Sequence, residues 1–298
     1  MIARAKRPLF DTVAIVGIGL IGSSLARVLR RERLARRIIG CDSSKSVRAT
    51  VRTLELVDAL TDDPGAAVRR ADLVVVCTPV STYGALGRAI GPRLKAGAIL
   101  TDVGSVKQVV HTTLGAHVRA GAHFVPGHPV AGTEDSGPKA GFADLFAGRW
   151  CILTPAPGAN ARAVAQVAAM WQRAGMRVET MDAAHHDRVL AITSHVPHLI
   201  AYTIVNTAND LESHLKAEVV KFAAGGFRDF TRVAASDPVM WRDVFLNNRE
   251  AVLEMLGRLY EDIALLQKAI RWGDGETLQS VFTRARRLRR SIVQAKQD

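Results

Sequence analysis

Cysteine is scarce in this chain of 298 residues: Cys41, Cys77 and Cys151 stand far apart and form no Cys-x-x-Cys pair. That excludes a disulfide framework and leaves buried, reduced thiols as the plain reading of all three. Long apolar runs are missing as well, none reaching the ~18–20 residues that span a bilayer. The basic start, Met1 to Pro8, leads into Leu9-Phe10-Asp11 and not into an apolar signal region, so a cytoplasmic protein without a membrane partner is expected. There is no internal repeat, no low-complexity linker and no metal-ligand spacing of His, Cys and carboxylates, so no metal is expected. The net charge of +12 is concentrated in Arg27–Arg37 and Arg284–Arg290. No recognition-helix, RNA-binding or zinc-finger pattern accompanies these clusters, and apolar residues recur through both at helical spacing. Solvated helix faces or attraction of an anionic substrate explain them, and nucleic-acid binding is only a remote alternative.

What the chain does have is alternation. Short β-branched runs at Thr12–Val16, Arg37–Asp42, Asp72–Thr78, Ala98–Asp102, Ala122–Pro126 and Trp150–Thr154 are separated by amphipathic stretches, the pattern of a parallel sheet with crossover helices. A helix over 161–174 and a strand over 177–181 are expected to complete that sheet. From about Asp182 the period changes, and 185–209, 211–223, 239–272 and 276–297 all read as helices. Breaks fall at Gly225-Gly226, Ser236-Asp237-Pro238 and Gly273-Asp274-Gly275, with Asp237 and Pro238 forming a helix-start signal. The expectation is an α/β Rossmann-type domain over 1–182 followed by an all-helical domain over 183–298.

The strongest local motif is Gly17-Ile-Gly19-Leu20-Ile21-Gly22, placed between an apolar strand and a helix. In that setting the first glycine makes a tight turn, the second lets the backbone approach a pyrophosphate, and the third lets helix and strand pack closely. The N–H groups of Gly19, Leu20 and Ile21 then face the phosphates. Asp42, twenty residues after Gly22, suits the ribose hydroxyls and repels a 2′-phosphate, which favours NAD over NADP despite Ser43, Ser44, Lys45 and Arg48 nearby. Thr78, Pro79 and Ser105 follow the third and fourth strands, where an open α/β sheet collects its ligands.

The candidate chemistry lies further along. His128, in Gly127-His-Pro-Val-Ala-Gly-Thr-Glu134, follows a strand and projects at the same sheet edge; a histidine suits the proton transfer that accompanies hydride loss from an alcohol carbon. His195 and His198, three apart around Pro197, can share a helix face, and Arg228 and Arg232, four apart, can grip carboxylates. Together they point to hydride abstraction from an anionic alcohol.

These motifs, with Asp102-Val-Gly-Ser-Val-Lys107, Ser194-His-Val-Pro-His198 and Gly226-Phe-Arg-Asp-Phe-Thr-Arg232, resemble the prephenate/arogenate (cyclohexadienyl) dehydrogenase family from about Thr12 to Ile270. The resemblance implies an NAD-dependent oxidative decarboxylation in tyrosine biosynthesis. It also implies that His128 is the base, that Ser105 hydrogen-bonds it and the substrate hydroxyl, and that Arg232 holds a substrate carboxylate with Arg228, His195 and His198 nearby. Glu134 then stands at the mouth of the site, the helical domain forms a homodimer, and Trp241 approaches the partner's site. The alternative in the same fold is another two-domain NAD(P)-dependent hydroxyacid dehydrogenase, which would commonly use a lysine base.

Overall fold

A computed structural model describes residues 7–211, 218–219 and 221–294. Strand β1 (Phe10–Val16) leads into helix α1 (Leu20–Arg31), and the pattern repeats through β2 (Ala35–Cys41), α2 (Lys45–Thr53), β3 (Ala59–Thr61), α3 (Pro64–Val68), β4 (Leu73–Val76), α4 (Tyr83–Ile90), β5 (Ile99–Asp102), α5 (Gln108–Thr113) and β6 (His123–Phe124). These strands lie in the order β3-β2-β1-β4-β5-β6, every neighbouring pair parallel. The result is the expected Rossmann arrangement, with its switch of winding direction between β1 and β4.

The central strands explain the layers. Val13, Ile15, Leu73 and Val75 enter one core with Leu25 and Leu29 of α1, whereas Ala14, Val16, Val74 and Val76 enter another with Tyr83 and Ile90 of α4. A strand apolar on both faces of its pleat needs helices on both sides, and each fully buried Val, Leu or Ile contributes about 1.5–3 kcal/mol.

Beyond β6 the structure departs from expectation. The runs near 150 and 177 do not complete the parallel sheet; they become β8 (Trp150–Leu153) and β9 (Arg177–Thr180) of a separate three-stranded sheet, with α6 (Ala161–Arg173) between them. The third member is β7 (Gly127–Pro129), antiparallel to β8 and pairing His128 with Ile152. Pro126 has no N–H to give to a ladder, and it separates β6 from β7 where the chain leaves the first sheet.

After β9 the described chain is helical: α7 (Ala183–Leu190), a π turn over Ala191–His195, α8 (Val196–Asn209), and the helices Gly225–Thr231, Pro238–Asn247, Arg249–Trp272 and Gly275–Gln294. The wide turn stands just before Pro197, whose ring clashes with an ordinary preceding turn and whose missing N–H would leave a carbonyl unpaired. The helix expected over 239–272 is broken at Asn248. Most of the one expected over 211–223, and residues 295–297 of the last, lie outside the described residues.

The run Ala183–Asn209 is, by length and composition, apolar enough to cross a bilayer, which corrects the expectation that no segment qualifies. Its His186, Asp187 and His195 are nevertheless buried and hydrogen-bonded to other parts of the fold. By compactness the chain divides into Met1–Asn248 and Arg249–Asp298, and within the described part of the smaller unit two helices are joined at Gly273-Asp274.

Candidate active site

The turn between β1 and α1 explains its glycines. Gly17 has φ +92°, and a Cβ there would sit 2.8 Å from the Cys77 carbonyl; a Cβ on Gly22 would run into the Gly17 carbonyl. Around Gly19 there is open space. Helices α2, α6 and α7 begin with side-chain caps from Ser44, Asn160 and Asp182, but α1 begins at Gly19 with none. Its first N–H groups are thus free for an anion, and its dipole favours one. Asp42, at the end of β2, is oriented by the N–H groups of Ile18 and Ser44, both at 2.9 Å. Arg48, one of the cations near this acid, donates to the carbonyls of Asp42 and Ser43 and pairs with Asp62. The loop therefore fits a dinucleotide with unmodified ribose hydroxyls.

A cleft of about 390 Å³ adjoins this loop. Gly19, Leu20, Ile21, Thr78 and Pro79 line it, and so do Ser105, His128 and Glu134; the helix Pro238–Asn247 adds Met240 and Asp243. His128 is only 6% exposed. Its Nδ1 lies 2.8 Å from Nε2 of His186, whose own Nδ1 lies 2.8 Å from Asp187 Oδ1. Asp187 also accepts the backbone N–H groups of Lys107 and Gln108 at 2.7 and 2.9 Å. Burial pushes the His128 pKa well below its ordinary value, and the neighbouring His186, Lys107 and His195 push the same way. The ring is held neutral, as a base must be before it reacts. Among the described residues Ser105 shares the cleft with His128 but makes no hydrogen bond to it.

Beneath the cleft lies a fully buried ion pair, Lys107 Nζ to Asp102 at 2.5 Å. Asp102 also accepts from Tyr83, from the N–H of Gly104 and from the N–H of Gly127, while Lys107 donates to the Gly127 carbonyl at 3.0 Å. One pair thus ties the Gly104-Ser105 turn to the strand that carries His128.

The histidines of the helical segment are buried beside this site but do not line the cleft. His195 sits on the π turn with Nδ1 3.0 Å from the Asn248 amide nitrogen, and burial lowers its pKa to about 4. His198 donates Nδ1–H to the Ser194 carbonyl at 2.8 Å and stacks on Trp241 at 3.6 Å between ring centroids. Trp241 was expected to approach a partner's site; here it is buried against His198 of its own chain. Arg232 is exposed and pairs with Glu134 of the cleft at 2.8 Å, and Arg228 is exposed on the helix Gly225–Thr231. The structure thus joins the glycine loop, Thr78, Pro79, Ser105, His128 and Glu134 in one cleft, with Arg232 reaching it through Glu134. It also brings His186, Asp187, Asp102 and Lys107 to this site, four residues to which the sequence reading gave no role. The adjacency of His186 and Asp187 was a signal, but their partner on another strand was not.

Two family models match the chain: the nucleotide-binding domain of prephenate dehydrogenase over residues 25–180 and the dimerization domain of prephenate dehydrogenase over 182–284. A cyclohexadienyl dehydrogenase of Zymomonas mobilis is 42% identical over 95% of this chain and 96% of its own. A crystal structure of prephenate dehydrogenase from Aquifex aeolicus, in complex with hydroxyphenyl propionate and NAD+, superposes with a TM-score of 0.87 at 32% identity, covering 95% of this chain and 98% of that one. The arogenate dehydrogenase of Synechocystis gives a TM-score of 0.78 at 26% identity, covering 94% and 99%.

Proposed function

This chain belongs to the prephenate dehydrogenase family, and from that premise we propose that it converts prephenate to 4-hydroxyphenylpyruvate in tyrosine biosynthesis, with His128 as the base. It is an NAD-dependent oxidoreductase that acts by oxidative decarboxylation on a small molecule. The observation that carries the residue assignment is the buried His128 on the wall of the cleft beside the glycine loop, held through Nδ1 and neutral.

Bound NAD supplies the hydride acceptor. The N–H groups of Gly19, Leu20 and Ile21 would hold its phosphates and Asp42 its ribose, and Thr78 and Pro79 would form part of its wall. His128 takes the proton of the ring hydroxyl as hydride leaves the same carbon, and Ser105 orients that hydroxyl. The ring ketone so formed accepts the electron pair released when the bond to the ring carboxylate breaks, so carbon dioxide departs and the ring becomes aromatic. Arg232 holds the side-chain carboxylate with Arg228 nearby, while His195, buried, and His198, half-buried, stand behind the site and Trp241 braces His198. Glu134 acts as a gate, occupying Arg232 until substrate replaces it.

Prephenate is the first choice because of the two arginines. Arogenate, with an ammonium in place of the keto group, is the second reading, favoured by Glu134, Asp135 and Asp237 on the cleft. The same proposal divides the chain into a cofactor domain over 1–182 and a substrate-binding, dimerising domain over 183–298 of a cytoplasmic homodimer. Exposed Tyr260, Trp272 and Leu288 on the last helices support a second copy as the cover. His128→Asn tests the base: turnover is expected to fall by about 10³-fold or more with NAD affinity retained, and near-normal turnover would overturn the assignment.

A further inference from the structure

We propose that His186 and Asp187 are positioning residues that lock His128 in the tautomer whose Nε2 carries the free lone pair, so that the base is held ready before substrate arrives. The inference rests on the reading of His128 as the proton acceptor, and it follows from counting donors. The Asp187 carboxylate can only accept, and it meets three donors: the N–H of Lys107, the N–H of Gln108 and the ring of His186. His186 Nδ1 must therefore carry hydrogen. His186 is fully buried, and burial holds it neutral against the opposing pull of Asp187, so its Nε2 is an acceptor. The 2.8 Å contact between the two rings is then a donation from His128 Nδ1–H to His186 Nε2. What remains on His128 is an unprotonated Nε2, on the far side of a ring that lines the cleft.

The same chain of bonds serves the next instant. When Nε2 takes a proton, the His128 Nδ1–H bond becomes charge-assisted, and the Asp187 carboxylate stands one ring behind to polarise it. Lys107 and His195 work against that cation, and the Lys107 ammonium is itself paired with Asp102. The backbone N–H bonds from Lys107 and Gln108 fix Asp187 to the start of α5, so the lock is anchored to the segment that follows Ser105.

The experiment labels the nine histidines with ¹⁵N and reads tautomers from long-range ¹H–¹⁵N spectra of the full-length protein near pH 7.5. The His128 signals are assigned by their loss in His128→Asn. Expected is a protonated Nδ1 and a pyridine-type Nε2 in the wild type, and a mixture of both tautomers in His186→Phe. A protonated Nε2 in the wild type would overturn the proposal, and this readout needs no turnover. Kinetics give a second, crossed test. His186→Phe keeps a ring but no acceptor, whereas the amide oxygen of His186→Gln can occupy the place of Nε2 without a ring. Both variants are first checked for the wild-type melting temperature. His186→Phe is expected to lower kcat by about 10²–10³-fold with KM nearly unchanged. His186→Gln should recover at least about tenfold of that loss. If phenylalanine works as well as glutamine or better, His186 only fills space and the proposal fails. A wild-type enzyme that oxidises neither prephenate nor arogenate would remove the substrate reading, while the spectra would still decide the tautomer.

Discussion

The cleft has two contrasting regions. Behind His128 the charged and ring groups are buried and joined in an ordered sequence: Asp187, His186 and His128 Nδ1 on one side, and Asp102 with Lys107 beneath. At Arg232 and Glu134 the charges are exposed, 59% and 36% by side chain, and among the described residues they pair with each other. In the first region those bonds stand without substrate, because breaking them would leave desolvated charges unpaired at high cost. The second spends little on its ion pair, since exposed pairs contribute about 0–1 kcal/mol, and it can exchange one carboxylate for another at small cost. Chemistry is assigned to the rigid part and recognition to the exchangeable part.

The largest expected effect comes from breaking the buried region. Lys107→Met leaves Asp102 charged, buried and without its cation, and should cost about 3–5 kcal/mol in urea unfolding. A loss under 1 kcal/mol would mean that the pair does not tie the two turns together. Acid is the next probe. Burial lowers the pKa of His128, His186, His195 and His198 in the folded protein, that of His195 to about 4 from 6.5. Between those values the unfolded chain binds more protons, so stability is full above about pH 6.5 and declines as the pH falls toward 4. His195 alone accounts for about 3 kcal/mol over that window. Urea midpoints that do not move between pH 7 and pH 5 would contradict the burial of these rings. At the exposed region the effects should be smaller and should appear in KM. Arg232→Ala is expected to raise KM about 10–100-fold with kcat within a few-fold, and a pure kcat loss would place Arg232 in the chemistry. Smallest is Glu134→Gln, which frees Arg232 and should lower KM by only about 2–3-fold, less so at high salt.

How much of this was legible beforehand differs between the same two regions. The apolar runs around Val13 and Val74, the Gly17–Gly22 turn, Asp42 and the place of His128 after a strand could all be read locally, because period and turn chemistry are local properties. Strand β3 was missed, since Ala59-Leu60-Thr61 is too short to show a period. β7 was missed because Gly127 and Pro129 are poor strand formers and only pairing with β8 makes a strand of them. The second sheet went unread for the same reason. The partnership of His186 with His128 spans 58 positions, and that of Lys107 N–H with Asp187 spans 80. No spacing rule reaches that far. Arg232 and Glu134 were both named, but their mutual pairing appears only in three dimensions.

The most direct test of the central claim is NADH formation by the purified protein, followed at its absorbance band with prephenate and arogenate supplied separately. The account predicts NAD-dependent turnover with prephenate, the release of one carbon dioxide for each NADH, and a lower kcat/KM with arogenate. Turnover with arogenate alone would reverse the substrate choice and leave His128 in its role. Absence of turnover with both substrates, with NAD intact and bound, would contradict the account.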